Sequence, residues 1–342
     1  MSTVEPTPAD RGLAGETRAV AVEGAARMSR AALDFLARYG AILAFVITVA
    51  VFSALKPDAF PTTQNWKDML TQASILAIVS FGLTVPMVMN DFDLSFGAMI
   101  GLGGSMTVVL LSEQGIAWPL AALAAVGVAV GFGLLNGILV AYVGASSFII
   151  TLAAANVIAG VEIYLTDSQT IFQNISASFI ELGQGEFLGV RYLIWIALGV
   201  AIVLWLLLSQ SEVGRYMHAI GGNMEAARLT GIRVRELRLL GFVVAAVCGA
   251  IAGILLHAQA ASSYPNSGPP FLLDAFAAVF LGSAMARDGR FNIPGTLVGV
   301  VFLQVITVGL IQQNLDAWVV EIATGAVLVF AILLSRLGRA RS

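Results

Sequence analysis

Two aspartates and a serine stand between two long apolar stretches, in the sequence Asp91-Phe92-Asp93-Leu94-Ser95. A carboxylate at such a junction has two possible roles. Asp93 could cap a helix that opens at Leu94, because aspartate accepts hydrogen bonds from the unpaired N–H groups of a first turn. Alternatively, the motif marks a break in a long apolar hairpin, where Asp91, Asp93 and Ser95 would face a polar solute. Both roles stay open at this point, since an acid inside a membrane is costly and requires a reason.

Other polar side chains lie in the apolar run 147–166. Thr151 and Asn156 are expected to hydrogen-bond to neighbouring helices, the usual role of polar groups inside membrane helices. The alternative is that they line a hydrophilic path together with the aspartate motif. Glu162, near the end of the same run, is expected at the membrane interface.

A polar, arginine-rich loop, residues 210–238, interrupts the apolar sequence. Near its centre the pattern predicts a helix of two turns over residues 224–230. An asparagine precedes it as an N-cap, a glutamate lies in its first turn, and a glycine follows it where a left-handed C-terminal residue is easiest. Such a short helix with small residues indicates a docking element. Its candidate residues are Asn223, Glu225, Ala226, Ala227, Arg228 and Gly231.

These groups must be positioned by membrane helices. The chain has 342 residues, of which 58% are hydrophobic and 11% charged, whereas soluble domains carry roughly 25% charged residues. Its apolar runs are near the ~20 residues that a helix needs to cross a bilayer. The predicted fold is therefore an all-α, polytopic transmembrane helix bundle. About ten spans are expected, at residues 39–55, 69–90, 93–112, 117–143, 147–166, 190–208, 239–258, 271–286, 293–312 and 317–335.

The distribution of basic residues predicts the orientation. With an even number of spans and both termini in the cytoplasm, fifteen of the eighteen lysines and arginines lie inside, as the positive-inside rule requires. Only Lys56, Lys67 and Arg191 remain outside. The expected organisation is a polar cytoplasmic tail at 1–37, a transmembrane domain at 38–336 containing loop 210–238, and a cytoplasmic C-terminus at 337–342.

Several kinds of chemistry have no signature in this sequence. It has no phosphate-binding loop of the G-x-x-x-x-G-K-[ST] type, no cysteine–histidine cluster for zinc, and no nucleophile–base pattern. The sequence therefore predicts neither an enzyme nor a cofactor or metal bound by this chain. His257, in an apolar run, is expected to be a structural histidine with a hydrogen-bond partner.

Three stretches resemble the permease subunit of bacterial ABC sugar importers of the ribose, xylose and galactose type. The first is the Asp91–Gly97 motif, and the second is the loop containing Gly214-Arg215-Tyr216 and the candidate docking helix. The third begins at Asp274-Ala275 and runs to Pro294-Gly295-Thr296. The sequence departs from the family pattern at Asp91-Phe92, where the family has Gly-Ile, and this puts the identity of the ligand in doubt.

The resemblance implies partners and a location. Such permeases lie in the bacterial inner membrane, pair with a second permease copy and carry two ATPase subunits on the cytoplasmic side. A periplasmic binding protein delivers a small polar solute, and ATP is bound by the partner subunit. Helix 224–230 would then be the coupling helix that docks on the ATPase. The arginines that follow it, Arg238 among them, are expected at the anionic membrane surface.

Two other functions remain possible from the residues alone. One is an ion-coupled secondary transporter that uses Asp91 and Asp93. The other is a membrane scaffold or receptor that binds a cytoplasmic partner and transports nothing.

Overall fold

The computed structural model describes residues 44–285, 289–323, 325–327 and 329. The predicted tail 1–37 and C-terminus 337–342 lie outside the described residues. The chain divides into two compact units, Met1–Val51 and Phe52–Ser342. The described residues of the first unit, 44–51, are helical, and the second unit contains the elements that carry the candidate site.

The described part of the chain is almost entirely helical. A π-helical turn, Leu206–Gln210, extends α7, and a short antiparallel hairpin pairs β1 (Glu186–Phe187) with β2 (Val190–Arg191). The α-helices are α1 (Ala44–Leu55), α2 (Thr63–Val88), α3 (Ser95–Ser112), α4 (Trp118–Ala141), α5 (Ser147–Thr166), α6 (Ala177–Gln184), α7 (Tyr192–Trp205), α8 (Glu212–Gly222), α9 (Met224–Leu229), α10 (Val234–Ala260), α11 (Pro270–Met285) and α12 (Ile293–Gln312). Residues 317–323 and 325–327 are helical as well.

Seven of the described helices are long and apolar enough to cross a membrane. They are α2, α3, α4, α5, α10, α12 and α7 with its π-helical extension. Three shorter apolar segments coincide with the first, eighth and tenth predicted spans. The prediction of a polytopic helical bundle is therefore confirmed, and the predicted spans lie where the structure has apolar helices.

Local sequence explains where several helices begin. The side chain of Thr62 accepts from Asn65 N at the start of α2, and Asn292 accepts from Gly295 N at the start of α12. Each satisfies one N–H group that the first turn would otherwise leave unpaired. Prolines near the starts of α4 and α12 sit where no intrahelical N–H bond is lost.

The centre of the second unit is formed by α2 and α10. Helix α10 packs along α4, α3 and α2, and α2 also packs against α7, α11 and α12. Nearly the whole length of α2 is buried. Helices α4, α5 and α7 lie further out and expose large apolar side chains over much of their surface.

Helices α3 and α10 run parallel in close contact. A Cβ on Gly249 would lie 3.0 Å from Phe96 O, and the next contacts along the pair are Gly253 with Ile100 and His257 with Gly104. Gly249 lies near the middle of the 27 residues of α10. Helix α3 therefore begins beside the middle of α10, and not at the level where α10 starts.

Glycine spacing in the sequence predicts close helix packing, and the structure separates two kinds of glycine. Gly253 touches the carbonyl of Ile100, whereas a Cβ on Gly127 or Gly131 would meet nothing within 4 Å. The pairs Gly97/Gly101, Gly133/Gly137, Gly249/Gly253 and Gly295/Gly299 all pack inside the chain. The Gly127/Gly131 pair faces away from it.

This difference predicts opposite effects of the same substitution. Gly253→Ala should destabilise the protein by about 1–3 kcal/mol or more, because the new methyl group collides with backbone. Gly127→Ala is the matched control, and it should be neutral or stabilise by up to ~1 kcal/mol through helix propensity. Thermal unfolding of the two variants in detergent measures the effect. Equal unfolding temperatures would contradict the close approach of α3 and α10.

Candidate functional site

The candidate site is built around the junction between α2 and α3, residues 89–94. Helix α2 ends at Val88, and Asn90 adopts a left-handed conformation with φ 61°. Residues 91–94 have no regular secondary structure before α3 begins at Ser95. The junction therefore connects the end of α2 to the start of α3, which lies beside the middle of α10.

Asp91 is buried and paired with Arg238 of α10. The guanidinium Nε donates to Asp91 Oδ2 and Nη2 donates to Asp91 Oδ1, both at 2.6 Å. Asp91 is 3% exposed, so this is a bidentate ion pair with little access to solvent, the strong geometry for an Arg–carboxylate contact. Arg238 also lies within 3.5 Å of the carbonyl of Val140 in α4. The sequence predicts that Arg238 lies at the anionic membrane surface, and in the structure its guanidinium pairs with Asp91 inside the protein.

Asp93 is fully buried and holds the start of α3. Its Oδ1 accepts from the Ser95 backbone N at 2.8 Å and from the Ser95 hydroxyl at 2.6 Å. Helix α3 begins at Ser95, one residue later than the sequence predicts. Asn136 of α4 donates to the Ser95 hydroxyl at 2.9 Å. Two buried oxygens of this cluster, Asp93 Oδ2 and Asn136 Oδ1, have no hydrogen-bond partner among the described residues.

The first turns of α5 bind the backbone of the junction. Ser147 Oγ accepts from Phe92 N at 3.2 Å, and Thr151 Oγ1 accepts from Leu94 N at 3.0 Å. The Thr151 hydroxyl donates in turn to Ser147 O at 2.7 Å. Thr151 thus does belong to the same cluster as the aspartate motif, where it satisfies a backbone group.

Asn156 lies apart from this cluster. It is exposed on the outer surface of α5, and its side chain donates to Leu152 O of its own helix at 3.1 Å. Among the five candidate residues of the substrate path, the structure therefore brings together Asp91, Asp93, Ser95 and Thr151.

The polar loop contains two short helices, α8 and α9. Asn223 caps α9, with its Oδ1 accepting from Ala226 N at 3.0 Å, and Gly231 has φ 86°. Ala227 is buried against the rest of the chain. The exposed surface of α9 carries Met224, Glu225, Ala226, Arg228 and Leu229.

Two adjoining hollows, of about 470 and 160 Å³, lie beside α8. Both are lined by His218, Gly222 and Arg290, and the larger one also by Arg215. The surface beside α8 is therefore concave and carries two arginines, Arg215 and Arg290.

The junction and the polar loop are in direct contact. The Asn90 side chain donates to Gly221 O at 2.6 Å, and Gly221 lies against the carbonyl of Val88. The sequence indicated neither this contact nor the ion pair, because the partners are more than 130 residues apart. Asn136 was not among the candidate residues. A single amide in an apolar stretch is a signal by which the sequence could have identified it.

A second buried polar cluster lies further along α3. Glu162 is 2% exposed and accepts from Ser105, whose hydroxyl accepts from Ser263 in the loop between α10 and α11. The sequence predicts Glu162 at the membrane interface, and in the structure its carboxylate is buried against Gly101 of α3. His257 is buried and bonded to Ser267 at 3.0 Å, as expected for a structural histidine.

Comparison with known proteins decides the family. The sequence model described as "Branched-chain amino acid transport system / permease component" matches residues 65–332. This chain belongs to that family of transporter permease components. It is a multi-pass protein of the inner membrane, in a family of permeases and not of enzymes.

Individual relatives match along most of their length. The ribose import permease protein RbsC of Haemophilus influenzae is 30% identical over 304 residues, covering 87% of this chain and 93% of the relative. The D-allose transport system permease protein AlsC of Escherichia coli is 29% identical over 305 residues, covering 89% and 93%. A solved inward-facing structure of a putative metal-chelate type ABC transporter aligns with TM-score 0.48 and 14% identity, over 87% of this chain and 98% of that chain.

The geometry of Asp93 predicts how substitutions there behave. Asp93→Asn should leave the folded structure intact, because asparagine retains an oxygen for the two bonds from Ser95 and caps as well as aspartate. Asp93→Ala should cost about 1 kcal/mol, the usual loss for removing such a cap. Thermal unfolding in detergent checks both. Loss of transport by a stable Asp93→Asn protein would instead assign the carboxylate a role in the path.

Proposed function

We propose that this chain is the transmembrane permease subunit of an ABC importer for a small polar solute, most consistent with a monosaccharide or related polyol. The observation that carries the proposal is the end-to-end similarity to a permease named for ribose import. Relatives named for D-allose, galactofuranose and xylose transport support a sugar. The family description names branched-chain amino acids. An apolar amino acid is therefore the alternative substrate to test.

In this proposal the chain crosses the membrane ten times, with both termini in the cytoplasm. The transmembrane domain comprises residues 38–336, flanked by the tail 1–37 and the C-terminal residues 337–342. Support comes from ten apolar segments at the predicted positions and from the bias of lysine and arginine, fifteen of eighteen on one side.

The energy for transport would come from another protein chain. ATP is bound by a separate ATPase, which docks on loop 210–238, and a periplasmic binding protein delivers the solute from outside. A second permease copy completes the path. The coupling residues are those predicted from the sequence, and they have different roles. Asn223 and Gly231 lie at the two ends of α9, Ala227 packs it against the core, and the remaining three face outward. Glu225, Ala226 and Arg228 are these three, and Leu229 beside them is 80% exposed.

The path would run beside the α2–α3 junction. Ser95 and Thr151 offer uncharged hydrogen-bonding groups of the kind a sugar requires, and Asp93 lies next to them. Asn156, the fifth residue of the predicted path, lies apart on the outer surface of α5. Asp91 would contribute by holding the junction. Its pairing with Arg238 also speaks against ion coupling through Asp91, since the charge is already compensated.

The first test is reconstitution of the permease with its ATPase and binding protein in vesicles. Uptake of D-ribose, D-allose or D-xylose should require ATP and both partners, and it should persist with an uncoupler of ion gradients. L-Leucine serves as the control solute. Uptake of a sugar on an ion gradient alone would refute the ABC importer, and uptake of L-leucine alone would refute the sugar.

The second test concerns docking of the ATPase. Leu229→Glu should weaken binding of the ATPase by about 2 kcal/mol or more, the effect of a hot-spot residue, because it places a charge in an apolar contact. Leu188, equally exposed at 80% in the β1–β2 hairpin, provides the matched control Leu188→Glu, which should bind normally. Co-purification with titrated ATPase measures both. Normal binding by Leu229→Glu would remove α9 from the docking surface.

A further inference from the structure

The polar loop is bonded to the α2–α3 junction on both sides of α9. Before α9, Gly221 accepts from the Asn90 side chain at 2.6 Å. After α9, Arg238 forms the bidentate pair with Asp91. Two consecutive residues of the junction therefore carry both attachments, although the loop residues are seventeen positions apart in sequence, from 221 to 238.

The two attachments differ in physical character. The Asp91–Arg238 pair is shielded from water, with side chains 4% and 15% exposed. Separating such a pair would leave a buried charge without compensation, which is strongly unfavourable. The Asn90 bond is at the surface, but Gly221 is in backbone contact with Val88 beside it. A displacement of α8 and α9 is thus transmitted to residues 90 and 91 more easily than it breaks these contacts.

The other end of the junction leads directly to the polar cluster. After Asp91, the non-helical chain is bound through Phe92 N and Leu94 N to the first turns of α5. Asp93 then fixes the first residue of α3. The junction is therefore the shortest covalent connection between the polar loop contacts and the start of α3 beside the middle of α10.

We propose that the Asp91–Arg238 ion pair, with the Asn90–Gly221 bond, is the mechanical link that transmits movement of the ATPase-docking loop to the start of α3. This assignment rests on the proposed function. It makes Asp91 and Arg238 positioning residues that act through the junction and do not touch the solute. A static anchor would support folding only, whereas a link must also set how much solute moves for each ATP hydrolysed.

The experiment measures uptake and ATP hydrolysis in the same vesicles containing permease, ATPase and binding protein, with D-ribose, D-allose and D-xylose as probes. Asp91→Asn and Arg238→Gln each remove the ion pair. Both should assemble and hydrolyse ATP, but uptake per ATP should fall by at least about fivefold, the lower end of usual coupling between sites. The double variant Asp91→Arg with Arg238→Asp restores opposite charges and should recover most of the uptake per ATP.

Glu236→Gln is the matched control. Glu236 belongs to an exposed ion pair with Arg233 at 3.3 Å, in the same turn of α10 as Arg238. Exposed pairs contribute little, so this variant should keep the wild-type ratio of uptake to ATP hydrolysis. A fall equal to that of Arg238→Gln would show that any charge change in this turn disturbs coupling, and it would overturn the specific role of the pair.

The remaining outcomes are also decisive. Unchanged uptake per ATP in folded Asp91→Asn and Arg238→Gln would overturn the link while leaving the importer intact. Absence of ATP-driven uptake by the wild type would overturn the proposed function and the link with it. Should the single variants not fold, Asn90→Gly decides, since glycine keeps the left-handed backbone of residue 90 and removes only an exposed side chain. An undiminished ratio in that variant overturns the link, and a fall of about fivefold supports it.

Discussion

A non-helical stretch of backbone inside an apolar bundle must find hydrogen-bond partners for its N–H and C=O groups, because hydrocarbon offers none. Residues 91–94 are such a stretch, and side chains supply the partners. Ser147 and Thr151 accept from two of its N–H groups, and Asp93 accepts from the first N–H group of α3. The polar residues of α5 and the aspartate motif are therefore positioned by the same requirement.

The position of that stretch follows from the packing of α3 against α10. Glycines at 249 and 253 allow the backbones to approach, which aligns the first turns of α3 with the middle of α10. Since α2 ends near Arg238 and α3 starts near Gly249, the non-helical junction connects these two levels of α10. It leaves the N-terminus of α3 in the interior of the bundle.

The same arrangement connects structure to function. Discontinuous helices occur at the substrate sites of many transporters, where the unwound backbone lines a cavity. Here the junction also carries the attachment of polar loop 210–238, through Asn90 and Asp91. If the proposed function holds, this junction would connect the surface that binds the ATPase to a helix start in the interior of the permease.

The sequence by itself determined the class of fold and the kind of chemistry. Apolar runs of about 20 residues require membrane helices, and the cap at Asn223 and the glycine at 231 defined α9 from local rules alone. Asp93 lies beside a helix start, as the sequence predicts, but the N-cap position is Leu94 and α3 begins one residue later than expected. These features depend on residues that are close together in the sequence, so the sequence is sufficient to predict them.

Which polar groups meet depends on how the helices pack. The sequence placed Arg238 at a lipid surface and Glu162 at an interface, whereas one pairs with Asp91 and the other is buried against α3. It also predicted Ala227 as a docking residue, and the structure shows that Ala227 is buried and packs α9 against the core. A charged residue in a membrane protein takes the partner that packing brings within reach, and that packing is set by glycine contacts between helices far apart in sequence.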